Sequence, residues 1–517
     1  MFFLIFANNI SFAEGVHDKD KSTYRRTVKY LGLFGGSLGL SKVFDVVRNK
    51  FASVLLGVSG QSVIAIANRT VQMFSECTNL SLSFSAVRRL SDAYENSDER
   101  TLKQCIKVVR SMAFFTGLLG VVLMLALMPL ISMWIFDDAH GYYMPRFMLM
   151  SPVLFFMAVA NGELAILRGV KRLNKVAAYT LLSSFLSLLV SVPLYLLLGL
   201  GGVFLVILLT AFLQMCVLLY FSLPLYRYEV SPFSMRLLCE GIDIVKFGAG
   251  YIFASILSSL AMWLIIALLS NIGDGETAGL FSAGFMMMTM LPGILFAALD
   301  SEYYPRLSGV ASDTEVRNGM VNEQVEVQVL VQSPLLMMAV VAMPVLIPLF
   351  YKADFMPAVV MAQLAMFGML MRTMTYPISF LPLVKGDTTL FLILETLFNA
   401  MLVGFVSLGF WLYGLSGVGV ALALVHTADF FMVYTVSRYR YGMRLSGEAV
   451  RCMSVQMPLF VMTVAVAVLC SGVLYWLLSA VCVCVSLVLT FHILNRRQAL
   501  PEALEHMGVR LIKLFKR

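Results

Sequence analysis

The sequence predicts an all-α integral membrane protein with about 14 transmembrane helices: two six-helix repeats around a central cavity, plus two extra C-terminal helices. Three observations predict this class. Of the 517 residues, 60% are hydrophobic and only 13% are charged. Apolar segments of roughly 20 residues, the length that crosses a bilayer, recur along the whole chain. Sequence motifs also recur at an offset of roughly 215 residues, which indicates an internal repeat.

The apolar segments can be placed in order along the chain. Residues 1–27 precede them and are predicted to form an unstructured leader, because their apolar run is too short for a signal peptide and has no basic flank. The segment centres lie at about residues 42, 75, 122, 156, 187, 212, 259, 289, 338, 370, 400, 427, 465 and 483.

Basic residues follow every second segment, which predicts the orientation of the chain in the membrane. Arg168, Lys171, Arg172 and Lys175 follow the fourth segment, for example, and Arg438 and Arg440 follow the twelfth. Connections that carry Lys and Arg stay on the cytoplasmic side. Both termini are therefore predicted to be cytoplasmic, and the net charge of +8 reflects topology rather than a nucleic-acid partner.

The clearest repeated motif is GLGGV at residues 199–203 against GLSGV at residues 414–418. Each repeat holds six segments, an even number, so the two halves are predicted to share one orientation. Such an arrangement places a substrate site between the halves near the midplane and exposes it to each side in turn. The predicted divisions are a cytoplasmic leader 1–27, bundles 28–224 and 246–438 joined by a cytoplasmic linker 225–245, two additional helices 439–493 and a basic tail 494–517.

Charged and polar residues in the first two segments form helical faces. Lys42, Asp45 and Arg48 recur every three residues, and a second stripe contains Arg69, Gln72, Glu76, Asn79 and Ser83. A charge at bilayer depth costs at least about 2.5–3.5 kcal/mol when it faces lipid. We therefore expect both faces to line the cavity.

Several motifs between about residues 29 and 440 carry a family resemblance. They are RNKF at 48–51, NLSLSFSAVR at 79–88, GELAILRG at 162–169, YPRLS at 304–308 and KGD at 385–387. With these motifs the chain resembles the polysaccharide repeat-unit flippases of bacterial membranes, or O-antigen translocases. They belong to the multidrug/oligosaccharidyl-lipid/polysaccharide exporter (MOP) superfamily. The sequence departs from the pattern at Leu80, where many relatives have glycine.

The resemblance implies a flippase that moves a polyprenyl-diphosphate-linked oligosaccharide between leaflets of the bacterial inner membrane for surface polysaccharide such as the O-antigen of lipopolysaccharide. Its implied partners are that lipid-linked oligosaccharide, membrane lipid and other glycan-assembly proteins. It needs no cofactor, although a proton or sodium gradient is a candidate energy source. In the family, a basic residue late in the first helix meets the diphosphate, and Arg48 occupies that position here.

The residues themselves suggest two sets of site candidates. Arginine forks pair well with phosphate oxygens, so Arg48, Arg69 and Arg372 are the leading substrate contacts. Two alternatives stay open: Arg48 reaching the membrane interface, and Lys42 pairing only with Asp45. The complete predicted substrate-binding set is Arg48, Arg69, Arg372, Lys42, Gln72, Glu76 and Asn79. The candidates for ion coupling are Glu163, Glu395 and Asp429, with a salt bridge to a loop arginine as the alternative role of Glu163.

Two other function classes compete with the flippase. A cation-coupled multidrug antiporter on the same scaffold would favour a carboxylate-dominated cavity, whereas the charges of the first two segments lean basic. A membrane enzyme would need a catalytic cluster in a sizeable loop. The five histidines are dispersed, and the eight cysteines have no metal-ligand spacing. The sequence therefore favours a transporter over an enzyme and predicts no metal site.

Overall fold

Every regular element in the described part of the chain is a helix. The computed structural model describes residues 19–79, 82–95, 99–136, 140–231, 234, 237, 240–241 and 249–496. Within these residues, ten helical stretches are long and apolar enough to cross a membrane. The predicted class, a multi-helix integral membrane protein, is confirmed.

The chain divides into two compact units, Met1–Gly279 and Leu280–Arg517. The helices of the first unit are α1 (Lys19–Asn79), α2 (Leu82–Glu95), α3 (Glu99–Phe136), α4 (His140–Leu149), α5 (Pro152–Gly169), α6 (Leu173–Leu198), α7 (Gly202–Ser222) and α8 (Ala249–Ile272). Helix α9 (Thr277–Gly309) begins at the boundary. The second unit continues with α10 (Thr314–Phe350), α11 (Ala358–Ser379), α12 (Leu381–Val384), α13 (Thr388–Tyr441), α14 (Gly447–Leu469) and α15 (Gly472–Arg496).

Three of the ten apolar stretches are long enough for two crossings each. They contain 40, 50 and 54 residues, and each is interrupted by a glycine with positive φ, at Gly57, Gly199 and Gly414. About 20 residues are sufficient to cross the hydrocarbon core. With the shorter apolar segment Thr277–Met290 included, the described helices supply fourteen apolar segments, which agrees with the predicted number.

The repeated glycine motif has the same backbone conformation in both copies. Gly199 has φ 55° and ψ −133°, and Gly414 has φ 58° and ψ −143°. Residues with a Cβ atom rarely adopt this region, whereas glycine enters it freely. The internal repeat inferred from the sequence motifs therefore corresponds to two equivalent helix interruptions, one in each unit.

The fourth residue of each motif copy also occupies equivalent surroundings. A Cβ atom added to Gly202 would lie 2.5 Å from the carbonyl oxygen of Leu194, and one added to Gly417 would lie 1.9 Å from that of Gly409. Each glycine thus touches the backbone eight residues earlier, on the other side of the interruption. Only glycine permits this approach of the two segments.

Helix α1 differs from the expected first two segments in its boundaries. It begins at Lys19, within the predicted leader, while residues 1–18 lie outside the described part of the chain. Gly57, with φ 69°, divides it into a first part and a second part that ends at Asn79. Residues 80 and 81 lie outside the described part of the chain, which resumes at Leu82, so the place of Ser83 on the polar stripe stays a prediction.

Helix α8 follows the first repeat in the chain but packs within the first unit. The Trp263 indole donates a hydrogen bond to the Thr70 hydroxyl at 3.0 Å, and the Ser255 hydroxyl donates to a Glu76 carboxylate oxygen at 2.8 Å. The first compact unit therefore includes α8 and ends at Gly279. The repeat instead assigns α8 to the second predicted bundle, 246–438, because that bundle is defined by the order of the helices in the sequence. Those domain boundaries stay a prediction.

The last two helices attach to the second unit through a buried polar network. The Gln456 side chain on α14 accepts from Ser486 at 2.7 Å and donates to Thr490 at 3.1 Å, both on α15. Thr490 in turn donates to the backbone carbonyl of Leu330 on α10 at 3.0 Å. These hydrogen bonds join α14 to α15 and α15 to α10 inside the second unit.

Candidate functional site

The first part of α1 presents a charged face that α6 holds in place. The Arg48 guanidinium donates to the Ser187 hydroxyl at 2.6 Å and lies 4.0 Å from the Asp45 carboxylate, which also lies 3.6 Å from Lys42. These three-residue spacings place all three charges on one side of the helix. Arg48 nevertheless keeps 37% of its side chain exposed, and Lys42 keeps 66%. Their free surfaces can receive an anion.

The second part of α1 contains the second polar stripe that the sequence predicted. Arg69 is half-buried and donates to the side-chain oxygen of Gln72 at 3.1 Å, one turn away. Glu76, a turn further, accepts the hydrogen bond from Ser255. The side chain of Asn79 lies outside those that the structure describes. The face therefore contains an arginine, an amide and a carboxylate, a mixture suited to hydrogen-bonding a polar ligand.

A separate charged cluster lies in the second unit, on α11 and α13. The guanidinium of Arg372 acts electrostatically on the carboxylates of Glu395 and Asp429 and on His426. It also lies 5.9 Å from the ring centre of Phe398, which is near enough for a cation–π contact. His426 is buried, and its Nδ1 has no hydrogen-bond partner within the described residues. Two carboxylates thus interact electrostatically with one arginine, so this cluster favours cations more than the residues of α1 do.

Glu163 is engaged in a buried ion pair. Its two carboxylate oxygens accept from Arg110 Nε at 2.7 Å and Nη2 at 3.0 Å, and both side chains are 1% exposed. Arg110 Nη1 donates to the backbone carbonyl of Arg227 at 2.7 Å. This pair fastens α3 to α5 and to the chain that follows α7, while a coupling role for Glu163 stays a prediction.

The Tyr228 ring completes the surroundings of that arginine, with the Arg110 guanidinium 4.8 Å from its centre. Burial, and secondarily the charge of Glu163, raises the pKa of the Tyr228 hydroxyl. The ring is therefore neutral at ordinary pH and offers its face to the cation.

Arg110 and Arg317 were not singled out from the sequence. Each is one of the many basic residues that flank the apolar segments, yet the structure buries both almost completely. The two occupy similar places in their own units: Arg110 binds the carbonyl of Arg227, and Arg317 binds that of Tyr441 at 2.7 Å. The internal repeat could have pointed to them, because Arg110 and Arg317 are separated by about one repeat length.

A protein-family model matches the range that contains the charged and polar residues of both parts of α1, here called together the α1 face: Lys42, Asp45, Arg48, Arg69, Gln72 and Glu76. That model, described as a polysaccharide biosynthesis protein, matches residues 40–310, which is more than half of the chain. The chain belongs to the polysaccharide biosynthesis protein family. The family resemblance inferred from the motifs is confirmed. Within this polysaccharide biosynthesis protein, the matched range includes Arg48, Arg69 and Glu163, whereas the Arg372 cluster lies beyond it.

Solved structures share the fold of this family member. The lipid II flippase MurJ in an inward closed conformation is similar with a TM-score of 0.70 and 14% identity over 90% of this chain and 99% of that chain. An inward-facing multidrug resistance MATE transporter of the MOP superfamily is similar with a TM-score of 0.65 and 15% identity, over 78% and 94% of the two chains. A MOP superfamily transporter from Pyrococcus furiosus, whose binding pocket is described as having reverse polarity, gives a TM-score of 0.52, 16% identity and coverage of 80% and 94%. At these identities the likeness establishes the MOP transporter fold. No curated protein matches the chain.

Proposed function

We propose that this protein is a flippase of the bacterial cytoplasmic membrane. It moves a polyprenyl-diphosphate-linked oligosaccharide repeat unit from the cytoplasmic to the periplasmic leaflet, by alternating access, for surface polysaccharide of the O-antigen type. The observation that carries the proposal is the basic face of α1, which lies inside the range matched by the polysaccharide biosynthesis family. The fold shared with a lipid II flippase over most of both chains supports the same class of transport.

The chemistry of the headgroup explains why a basic face suits this substrate. A diphosphate carries about two negative charges and must cross roughly 30 Å of hydrocarbon. Arginine offers a planar fork that pairs with two phosphate oxygens at once. Arg48 is already positioned by Ser187 and Asp45 while part of it stays exposed, so little ordering is required when the headgroup binds.

The other members of the α1 face then take complementary roles. Arg69 provides a second guanidinium further along the helix, and Lys42 adds a flexible cation near Arg48. Gln72, Glu76 and Asn79 are the groups that hydrogen-bond sugar hydroxyls. Arg372 completes the substrate set from the second unit.

Replacing Arg48 or Arg69 with alanine tests this role. We expect transport to fall at least roughly tenfold, because a hydrogen bond to a charged group contributes about 1.5–3 kcal/mol. Arg48→Lys should give an intermediate loss, since it keeps the charge but not the fork. The measurement is the leaflet distribution of the lipid-linked unit, together with surface glycan and the membrane level of each variant.

The control removes a cation elsewhere: Lys352→Ala breaks only an exposed pair with Asp354 at 2.8 Å. It should leave transport unchanged. Normal transport by both the Arg48→Ala and Arg69→Ala variants would refute the cationic contact with the headgroup.

We further propose that the acidic cluster of the second unit couples transport to a proton or sodium gradient. Glu395 and Asp429 are the main candidates, because their carboxylates interact electrostatically with Arg372 and with each other. Glu163 is the weaker candidate, since Arg110 already binds both of its oxygens.

Glu395→Gln and Asp429→Asn separate coupling from substrate binding. In proteoliposomes with an imposed gradient, we expect each variant to lose most of the stimulation that the gradient gives, because a neutral amide cannot exchange a proton or balance a sodium ion. Asp354→Asn, which removes an exposed carboxylate, is the matched control. Imposing a pH gradient and a sodium gradient separately identifies the ion. Full stimulation of both variants by either gradient would exclude this coupling site.

A cation-coupled multidrug antiporter is the second candidate function. The excess of carboxylates around Arg372 and the likeness in fold to a MATE transporter favour it. Efflux of a cationic dye by cells that express the protein, without movement of the lipid-linked glycan, would select the antiporter over the flippase.

A further inference from the structure

A second cationic site lies in the second unit, apart from the Arg372 cluster. It is a cavity of about 380 Å³ where the beginnings of α10 and α13 lie near the end of α13. Six residues line it: Thr314, Arg317, Lys385, Asp387, Arg440 and Tyr441. Basic residues near these helix ends place them on the predicted cytoplasmic side.

Arg317 is the most deeply buried charged residue in the lining of this cavity. The residue is 1% exposed, and its guanidinium donates to the backbone carbonyls of Ala311 at 3.0 Å and Tyr441 at 2.7 Å. Its Nε atom has no hydrogen-bond partner among the described residues. Arg110, its counterpart in the first unit, has the carboxylate of Glu163, whereas Arg317 has no carboxylate within ion-pair distance among the described residues and Asp313 acts on it only electrostatically. A buried cation without a paired anion is costly, and a bound anion would offset that cost.

Asp387 is the acidic residue in the lining of the cavity, and its carboxylate is engaged by neighbouring groups. One carboxylate oxygen accepts from the Leu390 amide at 3.2 Å and so caps α13. The other accepts from the Tyr441 hydroxyl at 3.2 Å and from Arg440 at 3.4 Å. The carboxylate is thus occupied by the helix end and by two neighbours, and Arg440 stays largely exposed at 67%.

The balance of charge and the size of the cavity both indicate the ligand. Among the lining residues, Arg317, Lys385 and Arg440 supply three positive charges against the single negative charge of Asp387, and Asp313, which acts electrostatically on Arg317 from beside the lining, lowers the net charge from +2 to +1. Lys385 is exposed and makes no ion pair among the described residues. The amino ends of α10 and α13 are already capped by the carboxylates of Asp313 and Asp387, so the cavity's positive charge comes from its side chains. Since a water molecule occupies about 30 Å³ in the liquid, the cavity has room for a phosphate or diphosphate group.

We propose that this cavity binds a phosphate or diphosphate group, either free in solution or carried by the headgroup of a membrane lipid. The site is separate from the α1 face to which the proposed function assigns the transported headgroup. Its occupancy does not depend on whether the protein is a flippase. An anion bound here lies beside Arg317 of α10, Lys385 of the 385–387 turn and Arg440 at the end of α13.

The test begins with the purified full-length protein in a neutral detergent. Inorganic diphosphate is titrated by calorimetry into the wild type and into Lys385→Glu, a change at an exposed position. We expect the variant to bind at least roughly tenfold more weakly, because a contributing cation becomes an anion. Arg440→Gln should weaken binding less, since it removes one charge without adding the opposite one.

Lys352→Glu is the matched control, because it reverses the charge of an exposed lysine in the same unit but outside the cavity. Its affinity for diphosphate should equal that of the wild type. Equal weakening in Lys385→Glu and Lys352→Glu would mean that the anion responds only to net charge, and the site would be rejected.

The two sources of the phosphate are separated by lipid measurements. Native mass spectrometry counts phosphatidylglycerol retained by the wild type and by Lys385→Glu, with phosphatidylcholine as the neutral comparison. Selective retention that is lost in the variant and displaced by inorganic diphosphate supports a lipid headgroup. Diphosphate binding without selective lipid retention supports a free anion. The proposal is overturned if the wild type binds neither, whatever its transport activity.

Discussion

Arg110→Ala is expected to destabilise the protein by about 3–5 kcal/mol. The substitution leaves the Glu163 carboxylate buried at 1% exposure without its two hydrogen bonds, and it also frees the carbonyl of Arg227. An uncompensated buried charge costs far more than a lost surface contact. The measurement is the apparent unfolding temperature of purified protein in detergent, together with the yield of monomer by size-exclusion chromatography.

A double variant shows whether Arg110→Ala destabilises the protein through the unpaired Glu163 carboxylate or through a general loss of packing. Arg110→Met with Glu163→Leu removes both charges and keeps much of the volume, so it should recover most of the stability that Arg110→Ala loses. If Arg110→Ala is as stable as the wild type, the buried pair does not hold α3 against α5.

Gly417→Val is expected to prevent the second unit from folding. Even a Cβ atom would lie 1.9 Å from the carbonyl oxygen of Gly409, and the contact is with backbone rather than with the end of a flexible side chain. The two parts of α13 would have to separate, which would expose their packed surfaces. Gly202→Val in the first unit should have a similar effect, since a Cβ atom there would lie 2.5 Å from the Leu194 carbonyl oxygen.

Gly404→Ala is the control in the same helix. A Cβ atom at Gly404 would meet nothing within 4 Å, and alanine favours a helix by up to about 1 kcal/mol relative to glycine. Folded monomer in membrane extracts and resistance to added protease should be preserved for Gly404→Ala and lost for Gly417→Val. Protease-resistant monomer of Gly417→Val at wild-type yield would contradict the close approach.

Much of the fold could be predicted because membrane crossings and glycine turns are each determined by a short continuous stretch of sequence. A bilayer requires about 20 apolar residues in succession, so the crossings can be read from the sequence. The GLGGV and GLSGV motifs gave the repeat, and their first glycines share one backbone conformation. The sequence also predicted two separate segments centred at about residues 42 and 75, and Gly57 interrupts α1 between those centres.

The position of α8 could not be derived in the same way. Its contacts with α1 join Ser255 to Glu76, 179 residues apart, and Trp263 to Thr70, 193 residues apart. Nothing in the hydropathy of either helix specifies this partner. The predicted domain boundaries therefore follow the repeat and carry no information about packing.

The candidate site was predictable in part. Three-residue and four-residue spacings place Lys42, Asp45 and Arg48 on one face, and the structure has them there. Arg317 shows the limit of such reasoning. A basic residue beside an apolar segment has the same appearance in the sequence whether it lies in water or is enclosed by backbone carbonyls. The difference depends on residues far away, such as Tyr441.

The long separation between each buried arginine and its carbonyl has a consequence for biosynthesis. Arg317 lies 124 residues before Tyr441, and Arg110 lies 117 residues before Arg227. At about 5–20 residues per second, a ribosome needs roughly 6–25 s to produce that length of chain. During this interval each guanidinium has to be solvated at the membrane surface. Nascent chains that stop before Tyr441 would retain an unsealed second unit, which cellular quality control can recognise and degrade.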